Sequence, residues 1–264
     1  MVTLRPAGPE DHAFVASASV LLGTDDPVLT PEKWRREFEA HTTIAEAAGT
    51  RVGYVFAQAM GDVGHLKHIV TMPQARRRGV ARALMRAAAS RLRDAGCAEW
   101  MLNVKVENSA AKALYESLGM GFSYASCVLR LEWSRALALP AAGLDAFEPK
   151  EGDDAALEEA FKLPDGLLRE RRKLGRVLLA VSDPAPAGLA VFDPAFPGAF
   201  PFQARSLCVA GTLLRAIDET RRREDPFVNL VVERDARLID ALIEAGAEPR
   251  IRLEHWRGPL QALW

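Results

Sequence analysis

The 264-residue sequence predicts a mixed α/β protein in which one arrangement of strands and helices occurs twice. Short segments of alternating apolar residues, typical of strands, are separated by segments whose apolar residues follow the helical period. Four stretches of the first half recur in the same order in the second half, which indicates a duplication. The content of 49% hydrophobic and 26% charged residues is that of a globular chain and not of a disordered one.

The first half contains the elements of one complete α/β unit. Alternating apolar residues bounded by turn formers predict strands at residues 44–47, 51–58, 65–71, 100–106 and 124–133. Helical spacing predicts helices at residues 79–95 and 109–118, each followed by a glycine that can end it. Asn108 stands where the N-cap of the second helix is expected.

A linker separates the two halves. Residues 134–143 have no clear strand or helix period, and Pro140 and Gly143 interrupt them. The expected domains are therefore residues 1–134 and residues 144–264. Each of them is long enough to form a hydrophobic core of its own.

The second half lacks one connection that the first half has. Residues 104–119 match residues 231–246 without a gap, so the last strand and helix of the unit are repeated. In the first half, residues 72–78 join a strand to a helix. In the second half, a strand at 206–209 is expected to run almost directly into a helix at 213–217. The connecting loop is therefore expected to be missing there.

Charge, cysteines and histidines exclude several classes of function. Lys plus Arg number 34 and Asp plus Glu number 35, so a net charge of −1 predicts neither a nucleic-acid partner nor a membrane partner. The three cysteines form no C-x-x-C pair and the histidines form no H-E-x-x-H motif, so no metal site is predicted. We expect a reduced, cytoplasmic protein, because the sequence shows neither a signal peptide nor an apolar run of the ~20 residues that span a membrane.

The junction between the third strand and the first helix, residues 69–81, carries the most specific chemistry. The strand stops before Pro73, and a helix opens at Gly79, where free N–H groups favour an anion such as phosphate. Three successive arginines at 76–78 add positive charge, and the small Ala81 lets an oxyanion approach the backbone. The spacing matches neither the triphosphate P-loop nor the dinucleotide fingerprint, so we predict a pyrophosphate cradle of another kind.

The R-x-x-G-x-A pattern at 76–81, three residues after Pro73, resembles the acetyl-CoA loop of the GNAT superfamily of N-acetyltransferases. The second landmark of that family, an Asn at a helix start followed by a Tyr in the helix, is matched by Asn108 and Tyr115. These motifs lie within residues 69–122. The resemblance implies an α+β fold of two tandem GNAT-like domains, each a mixed, mostly antiparallel sheet flanked by helices.

The resemblance implies a cofactor-binding role for three groups of residues. Ile69, Val70 and Thr71 are expected to pair their backbone with the pantetheine arm of acetyl-CoA, and Asn108 to hydrogen-bond it. Backbone N–H groups of the loop are expected to hold the pyrophosphate; the loop residues are Arg76, Arg77, Arg78, Gly79, Val80 and Ala81. Two positions depart from the family pattern, since Thr71 stands where Val is frequent and Arg77 where Gly is frequent.

The resemblance also implies the catalytic groups. Tyr115 is expected to protonate the CoA thiolate as it leaves. The attacking amine must lose a proton, and His68 or His65, near the end of the cofactor strand, titrates in the range needed to accept it. Of these, His68 is the predicted base, while Glu46 or an ordered water would serve as well.

The second half departs from the pattern at both landmarks, because Asp235 stands in the place of Asn108 and Leu242 in the place of Tyr115. Together with the missing loop, these changes predict a degenerate C-terminal domain that does not bind acetyl-CoA. That domain either helps to shape the substrate pocket or only stabilises its neighbour, and both alternatives stay open.

The resemblance therefore implies an acetyltransferase that uses acetyl-CoA as cosubstrate, without a metal, and acetylates a primary amine by direct attack in a ternary complex. The alternative is a non-catalytic acyl-CoA-binding or regulatory module, which needs the same loop. The acceptor, a small-molecule, peptide or protein amine, is shaped in the family by the region that corresponds to residues 13–41. Acidic residues there favour a cationic amine, unless they only form a solvated helix face; they are Asp25, Asp26, Glu32, Glu37 and Glu39. The sequence does not indicate an oligomeric state.

Overall fold

The computed structural model describes residues 2–23, 28–141 and 143–260. The chain forms two compact units, Met1–Ser123 with Glu254–Trp264 (unit 1) and Tyr124–Leu253 (unit 2). Within the described ranges, no helix combines the length and the apolar character that a membrane span requires.

Both units combine runs of strands with helices, and the apolar periods predict most of these elements in the first half. The strands are β1 (Val2–Pro6), β2 (Thr42–Ala47), β3 (Thr50–Met60), β4 (Val63–Thr71), β5 (Glu99–Lys105), β6 (Gly121–Glu132), β7 (Val177–Asp183), β8 (Ala185–Asp193), β9 (Gly198–Ala204), β10 (Phe227–Glu233) and β11 (Glu248–Pro259). The helices are α1 (His12–Ser19), α2 (Pro31–Lys33), α3 (Val80–Asp94), α4 (Ser109–Glu116), α5 (Trp133–Ala138), α6 (Asp154–Ala160), α7 (Leu167–Lys173), α8 (Leu207–Thr220) and α9 (Ala236–Glu244). A π-helical turn, Trp34–Phe38, continues α2. Every strand and helix predicted for the first half is present, with ends shifted by a few residues.

The sheet of unit 1 has the strand order β1-β2-β3-β4-β5-β11. Only the C-terminal part of β11 belongs to this unit. β1 to β4 pair antiparallel, whereas β4 and β5 pair parallel. Two parallel strands need a crossover connection, and α3 provides it. Apolar residues spaced by three and four bury one face of α3; they are Val80, Leu84, Met85, Ala88, Ala89 and Leu92.

The C-terminal end of the chain completes the core of unit 1. Trp256 and Leu260 belong to the same buried cluster as Trp100 and Tyr115. The backbone N–H of Leu260 donates to the carbonyl oxygen of Ala98 at 2.9 Å. Unit 1 therefore depends on residues from both ends of the sequence.

A buried carboxylate ties the start of the chain to β3. Asp11 is fully buried, and its two oxygens accept hydrogen bonds from Arg5 at 2.6 and 2.9 Å and from Arg51 at 2.6 Å. Burial alone would raise the pKa of Asp11, but the hydrogen bonds that it accepts, first from Arg5, lower that pKa to about 2. Glu46 joins this network through Arg5, at 2.8 Å.

The sheet of unit 2 has the order β6-β10-β9-β8-β7, again with one parallel pair, β9 and β10, joined by a helix, α8. Two expectations were wrong here. The linker at 134–143 is partly helical, because α5 packs on α8 and Arg215 donates to the carbonyl oxygen of Leu139 at 2.5 Å. The strand expected at 206–209 is the start of α8, since the Ser206 hydroxyl accepts from a helix N–H as an N-cap.

The compact units do not have the limits 1–134 and 144–264 that the sequence indicated. β6, from the first half, belongs mostly to unit 2, because it pairs with β10 from Ser126 to Glu132. The C-terminal part of β11, from the second half, belongs to unit 1. The two halves have thus exchanged their last strands, a long-range pairing that no local sequence pattern encodes.

Local structure follows the internal repeat closely. The Asn108 side chain accepts from the N–H of Ala111 at 3.1 Å, and the Asp235 side chain accepts from the N–H of Leu238 at 2.9 Å. These four positions correspond in the repeat. Asn108 is therefore the N-cap of α4, and Asp235 is the N-cap of α9. A short polar side chain is favoured at an N-cap, which explains why the repeat has one at this position in both halves.

Candidate active site

The site is organised around the place where β4 and β5 separate. The parallel pairing of these strands ends at Leu66 and Leu102, but β4 continues to Thr71 and β5 to Lys105. Beyond Leu66, β4 keeps its antiparallel partner β3 and turns its other backbone edge toward the opening. Such an edge can pair with an extended amide chain as a strand would. The opening contains residues 69–71, which the sequence assigned to the pantetheine arm.

A β-bulge lies at the point of separation. The register of β3 and β4 shifts between Phe56 and Ala57, which pair with His68 and Leu66, so Lys67 is the extra residue. Side chains of a regular strand alternate between faces, whereas a bulge turns neighbouring side chains toward the same side. Lys67 and His68 accordingly both line one cavity.

The opening leads to the exposed start of α3. Residues 76–79 are all solvent-exposed. The N–H of Ala83 makes the first helical hydrogen bond, to the carbonyl oxygen of Gly79, so the N–H groups from Gly79 to Arg82 have no helical acceptor. Gly79 has a φ of +80°, and a Cβ placed there would meet no heavy atom within 4 Å. This open space beside unpaired N–H groups and three arginines fits a pyrophosphate.

Arg77 occupies a backbone conformation that favours glycine. Its φ is +63°, in the left-handed region, where a side chain costs about 1 kcal/mol. This is the position at which the family frequently has Gly. The departure noted in the sequence therefore places strain in the loop without removing the cradle.

Replacement of Arg77 by Gly is expected to raise the free energy of unfolding by about 0.5–1 kcal/mol, because relief of this strain exceeds the added entropy of the unfolded chain. Thermal unfolding would show the melting temperature rising by about 2 °C. Arg78→Gly is the matched control, since it removes the same charge at a neighbouring exposed position without positive φ, and it should lower the melting temperature. Equal melting temperatures for the two variants would contradict the strain at Arg77.

Asn108 and Tyr115 lie on α4, at its start and in its last turn. Asn108 is exposed and uses its side-chain oxygen as the cap, so its amide N–H₂ group is the part able to donate to a ligand. Tyr115 is only 3% exposed, its ring lies 6.5 Å from that of Trp256, and burial raises its pKa to about 12. Its phenol is therefore protonated at neutral pH, and its burial agrees with both a core role and a proton-donor role.

A cavity of about 660 Å³ lies in unit 1, and each of its described lining residues comes from that unit. His68 is the predicted base that faces it, with Nδ1 3.3 Å from the Tyr54 hydroxyl oxygen. His65 is not among the lining residues, and burial lowers its pKa. Glu46 is paired with Arg5. The structure thus brings His68, and neither alternative, to the cavity.

The cavity also contains groups that the sequence did not single out as site residues. Lys33 and Lys67 line it, together with Gln58. Of the acidic residues in the acceptor region, Glu37 lines the cavity, while Glu32 is exposed and Glu39 is not among the described lining residues. Asp25 and Asp26 lie outside the described residues. The two lysines come from separate elements, since Lys33 ends α2 and Lys67 is the extra residue of the bulge in β4, so no spacing in the sequence could indicate them.

The described residues of unit 2 include no corresponding loop and no corresponding landmark side chains. Arg205 and Ser206 alone separate β9 from α8. Leu242, at the position of Tyr115 in the repeat, is fully buried in the core of unit 2. In the described ranges of both units, the structure brings together no group of three or more His, Cys, Asp or Glu residues that could hold a metal ion.

Two comparisons by sequence find acetyltransferases. The Acetyltransferase (GNAT) family model matches residues 13–120. An aminoglycoside N(6')-acetyltransferase type 1 of Stenotrophomonas maltophilia is 34% identical over 131 residues, which cover 44% of this chain and 84% of the relative. A mycothiol acetyltransferase of Thermobispora bispora is 42% identical over 83 residues, which cover 29% of this chain and 28% of that relative. The chain therefore matches less than a third of the second relative.

Solved structures share the fold over nearly the whole chain. A GCN5-related N-acetyltransferase from Sphaerobacter thermophilus has a TM-score of 0.69 at 16% identity and covers 98% of this chain and 96% of its own. A tandem GNAT protein from the clavulanic acid biosynthesis pathway has a TM-score of 0.64 at 17% identity and covers 99% of both chains. At these identities the likeness is one of fold alone, and the fold is the tandem α+β arrangement that the sequence predicted.

Proposed function

Because the chain belongs to the GNAT family of acetyltransferases, we propose that unit 1 transfers the acetyl group of acetyl-CoA to a primary amine by direct attack in a ternary complex. The observation that carries this proposal is the separation of β4 from β5 beside the open start of α3. The strand edge can pair with the pantetheine amides of a CoA molecule. The helix N-terminus that follows it can bind the pyrophosphate of the same molecule.

The residues present fit acetyl-CoA, which when bound supplies the thioester that the amine attacks. The loop at 76–81 offers N–H groups and positive charge to the pyrophosphate. The backbone of 69–71 offers a strand edge to the pantetheine amides, and the Asn108 amide offers a donor near the start of α4. The small-molecule or peptide acceptor is proposed to occupy the cavity of about 660 Å³, a volume typical of small-ligand sites.

Two side chains are proposed to move protons. His68 takes the proton that the acceptor nitrogen loses as it bonds to the acetyl carbon. In the tautomer whose Nδ1 donates to Tyr54, Nε2 carries the lone pair that accepts this proton. Tyr115 gives its phenolic proton to the sulfur that leaves as the C–S bond breaks. His68 then releases the acceptor's proton to water, and the Tyr115 phenolate regains a proton from water, so both side chains return to their starting states. The protons and charges of the reaction balance.

Kinetics of two variants test these roles. With acetyl-CoA and a panel of amino acids, dipeptides and polyamines as acceptors, His68→Gln is expected to lower kcat about 100-fold, because the proton acceptor is lost. Tyr115→Phe is expected to lower kcat about 10-fold or more while acetyl-CoA affinity, measured by calorimetry, stays within about 2-fold.

His65→Gln is the matched control, since it removes a histidine of the same strand that does not line the cavity, and it should keep kcat within about 3-fold. Normal turnover by either principal variant would exclude its proposed role. Tight acetyl-CoA binding with no transfer to any amine of the panel would instead support the non-catalytic binding module.

A further inference from the structure

We propose that the acceptor of this enzyme carries an anionic group, a carboxylate or a phosphate, besides its amine, and that Lys33 and Lys67 hold that group in the cavity. The inference rests on the proposed function, because it concerns the acceptor of the same site. It names the chemistry that distinguishes this acceptor from a simple amine or a polyamine.

The first argument is the charge of the cavity wall. Lys33 and Lys67 line it as cations, His68 lines it as a group that can become one, and Glu37 is the carboxylate among its described lining residues. The Glu37 carboxylate is already in contact with the Arg36 guanidinium. The described wall therefore has an excess of positive charge, although the reaction needs an amine acceptor, which is itself cationic before it loses a proton.

The second argument is geometric. The rings of Phe38 and Phe56 stack with centroids 4.1 Å apart and form one aromatic surface in the cavity. The Lys67 ammonium lies 5.5 Å from the Phe56 centroid, and the Lys33 ammonium lies 6.0 Å from the Phe38 centroid. The His68 ring lies 5.5 Å from the Phe56 centroid. Both ammonium groups and the proposed base thus lie beside the same pair of stacked rings in the cavity wall.

The third argument concerns the partners of these ammonium groups. Within the described residues, neither lysine forms an ion pair. Burial lowers the pKa of Lys67, an effect that nearby Glu37 opposes and nearby Lys33 increases. Two ammonium groups that repel each other across an apolar surface favour a shared anion, because a charge-assisted hydrogen bond is strongest where water is partly excluded.

These features together favour an acceptor with an anionic group over a polyamine. A polyamine would bring further positive charge against both lysines, and such like-charge contacts disfavour binding. A carboxylate or phosphate would neutralise them while the amine of the same molecule lies toward His68. The apolar remainder of the wall, including Leu29, accommodates an uncharged body. The expectation of a cationic acceptor, drawn from the acidic residues of this region, is thereby replaced by that of an amine with an anionic group.

Matched ligands that differ only in the anionic group test the proposal on the full chain with saturating CoA. Calorimetry compares glycyl-phenylalanine with glycyl-phenylalaninamide for the carboxylate, and phosphoethanolamine with ethanolamine for the phosphate. We expect one anionic member to bind at least about 10-fold more tightly than its neutral partner. Which pair shows this preference distinguishes carboxylate from phosphate.

The lysine variants identify the residues responsible. Lys33→Met and Lys67→Met should each reduce the preference to about 3-fold or less and leave the neutral member's affinity unchanged, since Met keeps the apolar stem. Lys173→Met, at an exposed position of unit 2, is the control and should keep the full preference. Equal binding of both members, tighter binding of spermidine, or a preference that survives both variants would overturn the proposal.

The same ligands in an acetyl-transfer assay separate the two proposals. Anion-selective binding without transfer would contradict the proposed function and leave the anion site standing. Transfer to neutral and anionic members alike would support the function and overturn the anion site.

Discussion

A fragment that ends at residue 134 is expected to remain unfolded, although it contains every residue proposed for the acetyl-CoA site. The structural reason is that unit 1 includes Glu254–Trp264 from the far end of the chain. Without this segment, β5 loses its neighbour β11, and the core that holds Tyr115 loses Trp256 and Leu260.

The interactions that the fragment loses are together comparable in free energy to the stability of an ordinary domain. Removal of one buried Trp side chain costs about 3–5 kcal/mol, and a domain is stable by only about 5–15 kcal/mol. The fragment also loses the Lys112–Glu254 ion pair, 3.0 Å long, and leaves β6 without its partner β10. An exposed strand edge and an opened core together favour an unfolded or aggregated chain.

Circular dichroism and thermal unfolding check this prediction. The fragment should show no cooperative transition, and addition of a peptide of residues 248–260 should restore one. In the full chain, Trp256→Ala should lower the free energy of unfolding by about 3–5 kcal/mol. Arg257→Ala, in the same strand but with a side chain 51% exposed, should lower it by less than about 1 kcal/mol. A fragment that unfolds cooperatively at the temperature of the full chain would show that unit 1 does not need the C-terminal strand.

Combined replacement of Arg78 by Glu and Gly79 by Asp is expected to weaken acetyl-CoA binding at least about 100-fold. The first change reverses a charge beside the open helix start. The second places a carboxylate in the space next to Gly79, where the structure has no heavy atom and the proposal places a phosphate. The introduced carboxylates repel the phosphate and so oppose the electrostatic attraction on which anion binding at a helix N-terminus depends.

Calorimetric titration of acetyl-CoA into the full chain measures this effect. The unmodified protein should bind one acetyl-CoA per chain. Arg86→Glu, an equal charge reversal at an exposed position farther along α3, should change the affinity by less than about 3-fold, because salt screens distant charges. A cooperative thermal transition would confirm that both variants are folded; the double replacement should melt a few degrees lower than the unmodified protein, because Asp at position 79 takes the positive φ of Gly79. Two sites per chain would mean that unit 2 binds as well, and binding that survives the double replacement would place the pyrophosphate elsewhere.

Much of this site could be read from local sequence. The positive φ of Gly79 and the N-caps at Asn108 and Asp235 depend on a few neighbouring residues. So do the helix starts and the strand ends in the first half, since turn chemistry and apolar period act over short distances. For the same reason, the resemblance to the GNAT family became visible in one short motif and one helix, and the comparisons confirm the family and the tandem fold.

The acceptor side of the site depended on contacts between distant segments. The sequence favoured His68 over His65 as the base without showing where either side chain lies, and the tertiary structure places His68, beside the bulge residue Lys67, in the cavity wall. Lys33 reaches the same wall from the end of the short helix α2, which apolar spacing does not reveal. The strand exchange likewise follows from which edges pair, and not from any local preference.

The sequence alone thus specified the elements, the repeat and the cofactor loop, whose conformations depend on short-range sterics and hydrogen bonds. Tertiary structure alone decided the limits of the units, the partner of Tyr115 and the charge of the acceptor cavity. These depend on the pairing and packing of residues that are separated in the sequence, by 34 positions for Lys33 and Lys67 and by 141 for Tyr115 and Trp256, whose contact is a property of the folded chain.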